Sequence, residues 1–314
     1  MRSREEPSGR SRRGRSELNV YWTSGRLLLR EVVFEAEMVN TAPLRVGVGR
    51  TAPLKAPVDL AVIRIRRNGN AEEPYVPGSS LKGVFRTNAE LLLRFKRPRV
   101  APCSGLSKNT CMNVKTIGDK KLMDAVQDLQ QEGKSEDAMK LFFENACLLC
   151  KVFGAPSYAG RVVFQDAYVK GPFRLGFRTG IAIDRRTGAV FERQLYQVEY
   201  VEPGARFGLV VSARNLPNYA IGLLARVLFM LHQGEIRIGG FKTRGFGTVR
   251  LESPILRVKN YAGGQDLEPL EDVDAPVRLG DIFSVEDGQH VARGDRAWEA
   301  LRRFAEVWDA VKLS

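Results

Sequence analysis

Residues 238–249 read Ile-Gly-Gly-Phe-Lys-Thr-Arg-Gly-Phe-Gly-Thr-Val, and a strand-like run, not a helix, follows them. That order excludes the folds in which a phosphate loop opens directly onto a helix. The glycine spacing is not that of a Walker A loop, nor that of the dinucleotide fingerprint. Glycine permits positive φ and close approach of a ligand to the backbone. Successive N–H groups in such a loop form an anion-binding concavity, to which Lys242 and Arg244 add charge. Gly239, Gly240, Lys242, Thr243, Arg244 and Gly245 are therefore candidate phosphate contacts. A glycine-rich hairpin between two strands would carry the same residues, so the loop alone does not decide.

A second segment, Tyr-Val-Pro-Gly-Ser-Ser-Leu-Lys-Gly-Val-Phe-Arg at 75–86, ends an extended run at Pro77-Gly78. Apolar residues at 81, 84, 85, 89, 92 and 93 follow a helical period, which predicts a helix over 80–96 capped by Ser79 or Ser80. Lys82 and Arg86 are four apart on one face of its start. Cations oppose the helix dipole there, so Ser79, Ser80, Lys82 and Arg86 are read as anion ligands.

These two segments resemble signatures of the RAMP (repeat-associated) proteins of CRISPR effector complexes. Gly-Ile-Ala-Ile-Asp-Arg-Arg-Thr-Gly-Ala at 180–189 and Cys-Leu-Leu-Cys-Lys-Val-Phe-Gly at 147–154 resemble two more, in the family's order. Within the superfamily, the chain most resembles the backbone subunits of type III complexes. The resemblance implies an α+β, ferredoxin-like (RNA-recognition-motif-like) antiparallel sheet with helices on one face and a protruding β-hairpin thumb. It also implies crRNA and complementary target RNA as ligands, with other effector-complex subunits and copies of the chain itself as partners.

The residues support a polyanion partner independently. The formal net charge is +13, with +5 on residues 1–30, −6 on 265–314 and +14 on the body between. Such a body suits sequence-independent phosphate neutralisation. The 35 arginines outnumber the 14 lysines, which favours planar phosphate contacts and base stacking; a GC-rich or thermophilic genome would leave the same bias. No apolar run has membrane-spanning length and no apolar signal core follows the first arginines, so a cytoplasmic protein with no membrane partner is expected.

Three parts are expected. Residues 1–16 form a disordered basic arm. Residues 17–264 form the ferredoxin-like core, including a helical cysteine-containing insertion at 97–150 and the thumb at 179–201. Residues 265–314 form an acidic extension with a helix near 295–312, whose stripe of Trp298, Leu301, Phe304 and Trp308 reads as packing. The order β, α, β…β, α, β fits a split β-α-β layout. The aromatic stacking signature of ordinary RNA-recognition motifs is missing, so RNA is expected on loops and hairpin.

Cys103, Cys111, Cys147 and Cys150 are the only cysteines. Two pairs bracketing a helical insertion point to a structural Zn2+ site with all four positions filled. Four core thiols or a redox C-x-x-C are the alternatives. The two histidines, His232 and His290, have no partner that spacing can name, which argues against histidine-pair ribonuclease chemistry. Asp59 lies 18 residues before Pro77, where the family resemblance puts a loop aspartate in RNA-cleaving subunits. A loop carboxylate can hold Mg2+ or Mn2+; it can also merely brace a turn. The same resemblance marks Arg178, Arg185 and Arg186 on the hairpin as RNA contacts, where a solvated amphipathic hairpin is the plain alternative.

Overall fold

The computed structural model describes residues 22–25, 27–47, 58–67, 69, 72–264 and 266–313. The arm at 1–16 and most of the loop before Asp59 lie outside the described residues.

The strands are β1 (Arg30–Asn40), β2 (Arg64–Arg66), β3 (Glu72–Val76), β4 (Thr116–Ile117), β5 (Lys120–Lys121), β6 (Val162–Phe164), β7 (Ala167–Lys170), β8 (Leu175–Ile183), β9 (Val190–Val201), β10 (Arg206–Arg214), β11 (Val249–Asn260), β12 (Asp266–Leu267), β13 (Val277–Arg278), β14 (Ser284–Glu286) and β15 (Gln289–Arg293). The helices are α1 (Gly78–Phe95), α2 (Cys111–Val114), α3 (Leu122–Gln131), α4 (Ser135–Asn145), α5 (Leu148–Phe153), α6 (Asn218–His232) and α7 (Asp295–Ala310).

The protein is a mixed α+β molecule built on a nine-stranded sheet in the order β14-β15-β11-β1-β10-β7-β3-β2, with β6 also on β10. Strand β1 lies between β10 and β11 and runs antiparallel to both. Its alternation explains the layering: Val32, Phe34, Ala36 and Met38 are buried under the helices. Its other face carries Glu31, Glu35 and Glu37, ion-paired to Arg214 (2.8 Å), Arg257 (2.8 Å) and Arg206 (2.8 Å). The open face over the central strands is thus an ionic ladder.

Helix α6 is apolar almost all round because it packs between α1, α7 and β11. A Cβ on Gly222 would meet the Phe304 carbonyl oxygen at 2.0 Å, so glycine sets the α6–α7 approach. The segment 266–310 is part of this packing: β15 pairs with β11, and Asp274 accepts hydrogen bonds from the Asn218 and Tyr219 amides at the start of α6 (2.9 and 3.0 Å). Arg30, buried beneath, donates to Asn218 Oδ1 at 2.7 Å, and desolvation lowers its pKa to about 10.

Helix α1 starts two residues earlier than its apolar pattern predicts, and neither serine caps it. The Gly78 amide donates to Asp166 Oδ1 at 2.7 Å, so a carboxylate from across the fold satisfies the helix end. A Cβ on Gly78 would meet the Phe164 carbonyl oxygen at 2.2 Å; glycine here lets the helix start press against the sheet. Strands β8 and β9 form a long two-stranded hairpin, whose β9 strand also bridges to Leu44 and Leu60. Among the described residues, no helix is long and apolar enough to cross a membrane.

Candidate functional site

The two motif segments, about 160 residues apart in the chain, meet in one cleft of about 410 Å³. Ser80, Gly83, Thr87 and Asn88 line it from α1, and Gly239, Gly240 and Lys242 from the glycine-rich loop. Val46 and Gly47 complete the wall. Nothing lies within 4 Å of where a Gly83 Cβ would stand, so this glycine leaves the α1 wall open. The loop is set by backbone. The Gly240 amide donates to the Arg45 carbonyl at 2.8 Å, and a Cβ on Gly239 (φ +83°) would meet that same oxygen at 2.2 Å. Lys242, Thr243 and Arg244 form a 3₁₀ turn between two left-handed residues, Phe241 and Gly245, and all three are exposed. The geometry offers a shallow cradle lined by the Ser80 and Thr87 hydroxyls, the Asn88 carboxamide and the Lys242 side chain.

An aromatic stack joins this loop to the hairpin. Tyr196 of β9 stacks on Phe241 (ring centroids 6.4 Å), Phe241 packs tilted against Phe246 (5.7 Å), and Phe246 meets Tyr200 edge-on (5.6 Å). Arg244 lies over Phe241 (5.1 Å) and donates to the Tyr196 hydroxyl; Arg178 of β8 lies over Phe246 (5.1 Å). Arg45, from the segment after β1, approaches Phe241 (5.6 Å), and burial lowers its pKa. Gly176 and Gly180 pair across from Tyr200 and Tyr196. A Cβ at either would overlap those rings (2.6 and 2.2 Å), so two glycines seat the tyrosines flat on the hairpin.

The four cysteines converge below α1, with sulfur atoms all within 4.8 Å of one another. Cys103 Sγ lies 3.3 Å from Cys150 Sγ and 3.8 Å from Cys147 Sγ. A tetrahedral ion with arms of about 2.3 Å separates its sulfurs by about 3.8 Å, so the cluster brackets the needed spacing. The Cys147 amide donates to Cys111 Sγ at 3.3 Å, a bond that favours a thiolate. Hydrogen bonding from Cys111, Cys147 and Cys150 pulls the half-buried Cys103 thiol below its ordinary pKa, while Cys111, bonded to Cys103, is pushed up. All four thiols are free, and together they could hold a metal ion such as zinc.

The sequence profile of the RAMP superfamily matches residues 40–250, more than half of the chain. The chain belongs to the RAMP superfamily. Membership carries a CRISPR-associated, RNA-binding function. A comparison with curated proteins finds no match.

In this RAMP protein the residues singled out from sequence fall in different places. Ser80, Gly239, Gly240 and Lys242 line the cleft. Ser79 and Lys82 are exposed on the first turns of α1, outside the lining. Thr243, Arg244 and Gly245 are exposed at the loop crest, and Arg178 joins them through the aromatic stack. Arg185 and Arg186 sit exposed in the hairpin turn, where the Arg186 amide donates to Asp184 Oδ1 at 2.8 Å. Arg86 turns inward, toward the cysteines. Asp59 is exposed, and its Oδ2 accepts from the Gln197 amide of β9 at 2.7 Å. Among the described residues, no other carboxylates gather with it into a metal-binding group.

Tyr196, Tyr200, Phe241 and Phe246 were not reached by reading motifs. The signal was present in the alternation Gly176, Arg178, Gly180 opposite Tyr196 and Tyr200, which places glycines against aromatics on one hairpin face. His232 Nδ1 accepts from the Leu251 amide at 3.3 Å, and the His290 ring meets Phe283; neither lines the cleft.

Proposed function

We propose that this RAMP protein is a backbone subunit of a type III CRISPR effector complex, with a ferredoxin-like core that grips crRNA in the cleft between α1 and the glycine-rich loop. The observation that carries this is the meeting of Ser80, Gly240 and Lys242 in one cleft, joined by stacked rings to the β8–β9 hairpin. A phosphodiester laid there would meet the hydroxyls of Ser80 and Thr87, the Asn88 carboxamide and the Lys242 ammonium. The open sheet face supports the same assignment by elimination, since its arginines are engaged by Glu31, Glu35 and Glu37. The hairpin, with Arg185 and Arg186 at its turn, acts as the thumb that reaches between crRNA and complementary target RNA. Copies of the chain and other effector-complex subunits would line the guide. The cysteines hold a structural Zn2+, with no open coordination position.

Cleavage of the target belongs to the same proposal. Asp59 is exposed beside the hairpin, and its bond to the Gln197 amide fixes the carboxylate there. With Mg2+ or Mn2+ supplied, it would position the ion at the scissile phosphate. With the ion bound, the RNA 2′-hydroxyl would pass its proton to solvent and attack phosphorus, and the P–O5′ bond would break with the 5′-oxygen taking a proton from solvent, giving a 2′,3′-cyclic phosphate and a 5′-hydroxyl. A catalytically silent scaffold with the same grip is the second reading, favoured by the absence of other gathered carboxylates among the described residues. A crRNA-processing endoribonuclease is disfavoured by the packing of both histidines away from the cleft.

Photocrosslinking of thiouridine-substituted RNA to the full chain, with the adducts mapped by mass spectrometry, tests the grip. Adducts on peptides containing Ser80–Asn88 and Lys242–Arg244 are expected; adducts confined to the open sheet face would overturn it.

A further inference from the structure

Arg86 stands one turn after Lys82, on the helix that opens the RNA cleft, yet its guanidinium faces the cysteines. Nη1 donates to the carbonyls of Leu149 and Gly154, both at 3.3 Å. Those two carbonyls bracket most of α5, the helix that carries Cys150 and follows Cys147. Nη2 points at Cys103 Sγ (3.5 Å) and Cys150 Sγ (3.8 Å). The loop after Cys103 closes on the same group: a Cβ on Gly105 (φ +72°) would fall 2.1 Å from Arg86 Nε. Only glycine leaves room there, so loop and guanidinium are built against each other.

The charges agree. A divalent ion with four thiolates carries a net charge of about −2, which is costly in a buried place unless cations accompany it. Two cations do. Besides Arg86, half-buried Lys151 stands next to Cys150 in the chain, its ammonium 4.0 Å from the Phe143 ring centroid and within the field of Glu271, Cys147 and Cys111. Lys151 also has the Glu271 carboxylate as a counter-charge, but four neutral thiols would leave Arg86 with no counter-charge among the groups it hydrogen-bonds.

We propose that Arg86 is the positioning residue and charge partner of a tetrathiolate metal centre, not an RNA ligand; this rests on the metal site proposed above. The guanidinium sets the turn that presents Cys147 and Cys150 and neutralises the sulfurs it faces. Since Arg86 shares α1 with Ser80 and Gly83, it also ties the wall of the RNA cleft to the metal centre.

The test uses the full chain loaded with zinc. Three quantities are read: zinc transfer to a chromogenic chelator, the ligand-field spectrum after Co2+ substitution, and affinity for an unstructured RNA. Arg86→Gln is expected to release zinc about 10- to 100-fold more readily, the usual range for losing an outer partner of a metal site. Its Co2+ spectrum should shift, and its RNA affinity when metal-saturated should match the parent chain. Arg86→Lys, which keeps the charge without the fork, should fall between. Lys82→Ala should do the reverse, lowering RNA affinity and leaving zinc in place. If Arg86→Gln does not fold, Arg86→Lys and Gly105→Ala carry the test, and both are expected to loosen zinc. An Arg86 variant that holds zinc like the parent but loses RNA affinity overturns the proposal. A parent chain that takes up neither zinc nor Co2+ overturns the metal site itself.

Discussion

Gly239 and Gly245 share nearly the same backbone, φ +83° and +87°, but not the same surroundings. An added Cβ at Gly245 meets nothing within 4 Å, whereas at Gly239 it meets the Arg45 carbonyl oxygen at 2.2 Å. Gly245→Ala should therefore cost only the left-handed strain, about 1–2 kcal/mol. Gly239→Ala should cost more and displace the loop from the Arg45 backbone, taking RNA affinity with it. Thermal unfolding and RNA titration of the two variants check this; equal losses would show that the loop is not held by that contact. Asp59 makes a separate case. Asp59→Ala should preserve guide and target binding and abolish metal-dependent cutting by the assembled complex, because an exposed carboxylate contributes little to the core or to phosphate affinity. Normal cutting by that assembly would remove Asp59 from the chemistry. At this scale the sequence was legible where a residue's role is local, as with the glycines of the loop. It was not legible for Arg86, whose partners come from residues 103, 149, 150 and 154; spacing along α1 groups it with Lys82, and only packing separates them.

Elements were readable by period and their ends were not. The apolar repeat located α1 and α7, but caps come from afar: Asp166 on α1 and Asp274 on α6. No local motif encodes a cap from about 50 or more residues away. The family resemblance put a hairpin at 179–201, while the ring stack that fixes it to the glycine-rich loop depends on register across β8 and β9. The insertion holds α2 to α5, with the cysteines at its two ends and Cys103 before α2. Cys147→Ser combined with Cys150→Ser, or removal of zinc by chelation, is expected to speed amide exchange through residues 103–153 and to leave exchange in β1, β10 and β11 slow. Hydrogen exchange read by mass spectrometry checks this. Uniform protection after metal removal would mean that the hydrophobic contacts of Leu122, Phe142 and Phe153 hold the insertion unaided.

Over the whole molecule, the charge sum points to a polyanion but not to where it lies. The arginines of the central open face are paired with glutamates, and such exposed pairs add little stability; their consequence is that this face is close to neutral. Exposed Lys82, Lys242 and Arg244 put positive charge at and beside the cleft, and Arg185 and Arg186 put it at the hairpin turn. The central claim is that phosphate is gripped in this cleft, and the measurement that addresses it most directly is RNA affinity as a function of salt for the parent chain and for Lys242→Ala. The log of the parent's affinity should fall linearly with the log of salt concentration. Lys242→Ala should bind more weakly whatever the RNA sequence, with a slope smaller by about one counterion. An unchanged slope in Lys242→Ala, or a parent affinity indifferent to salt, would contradict it.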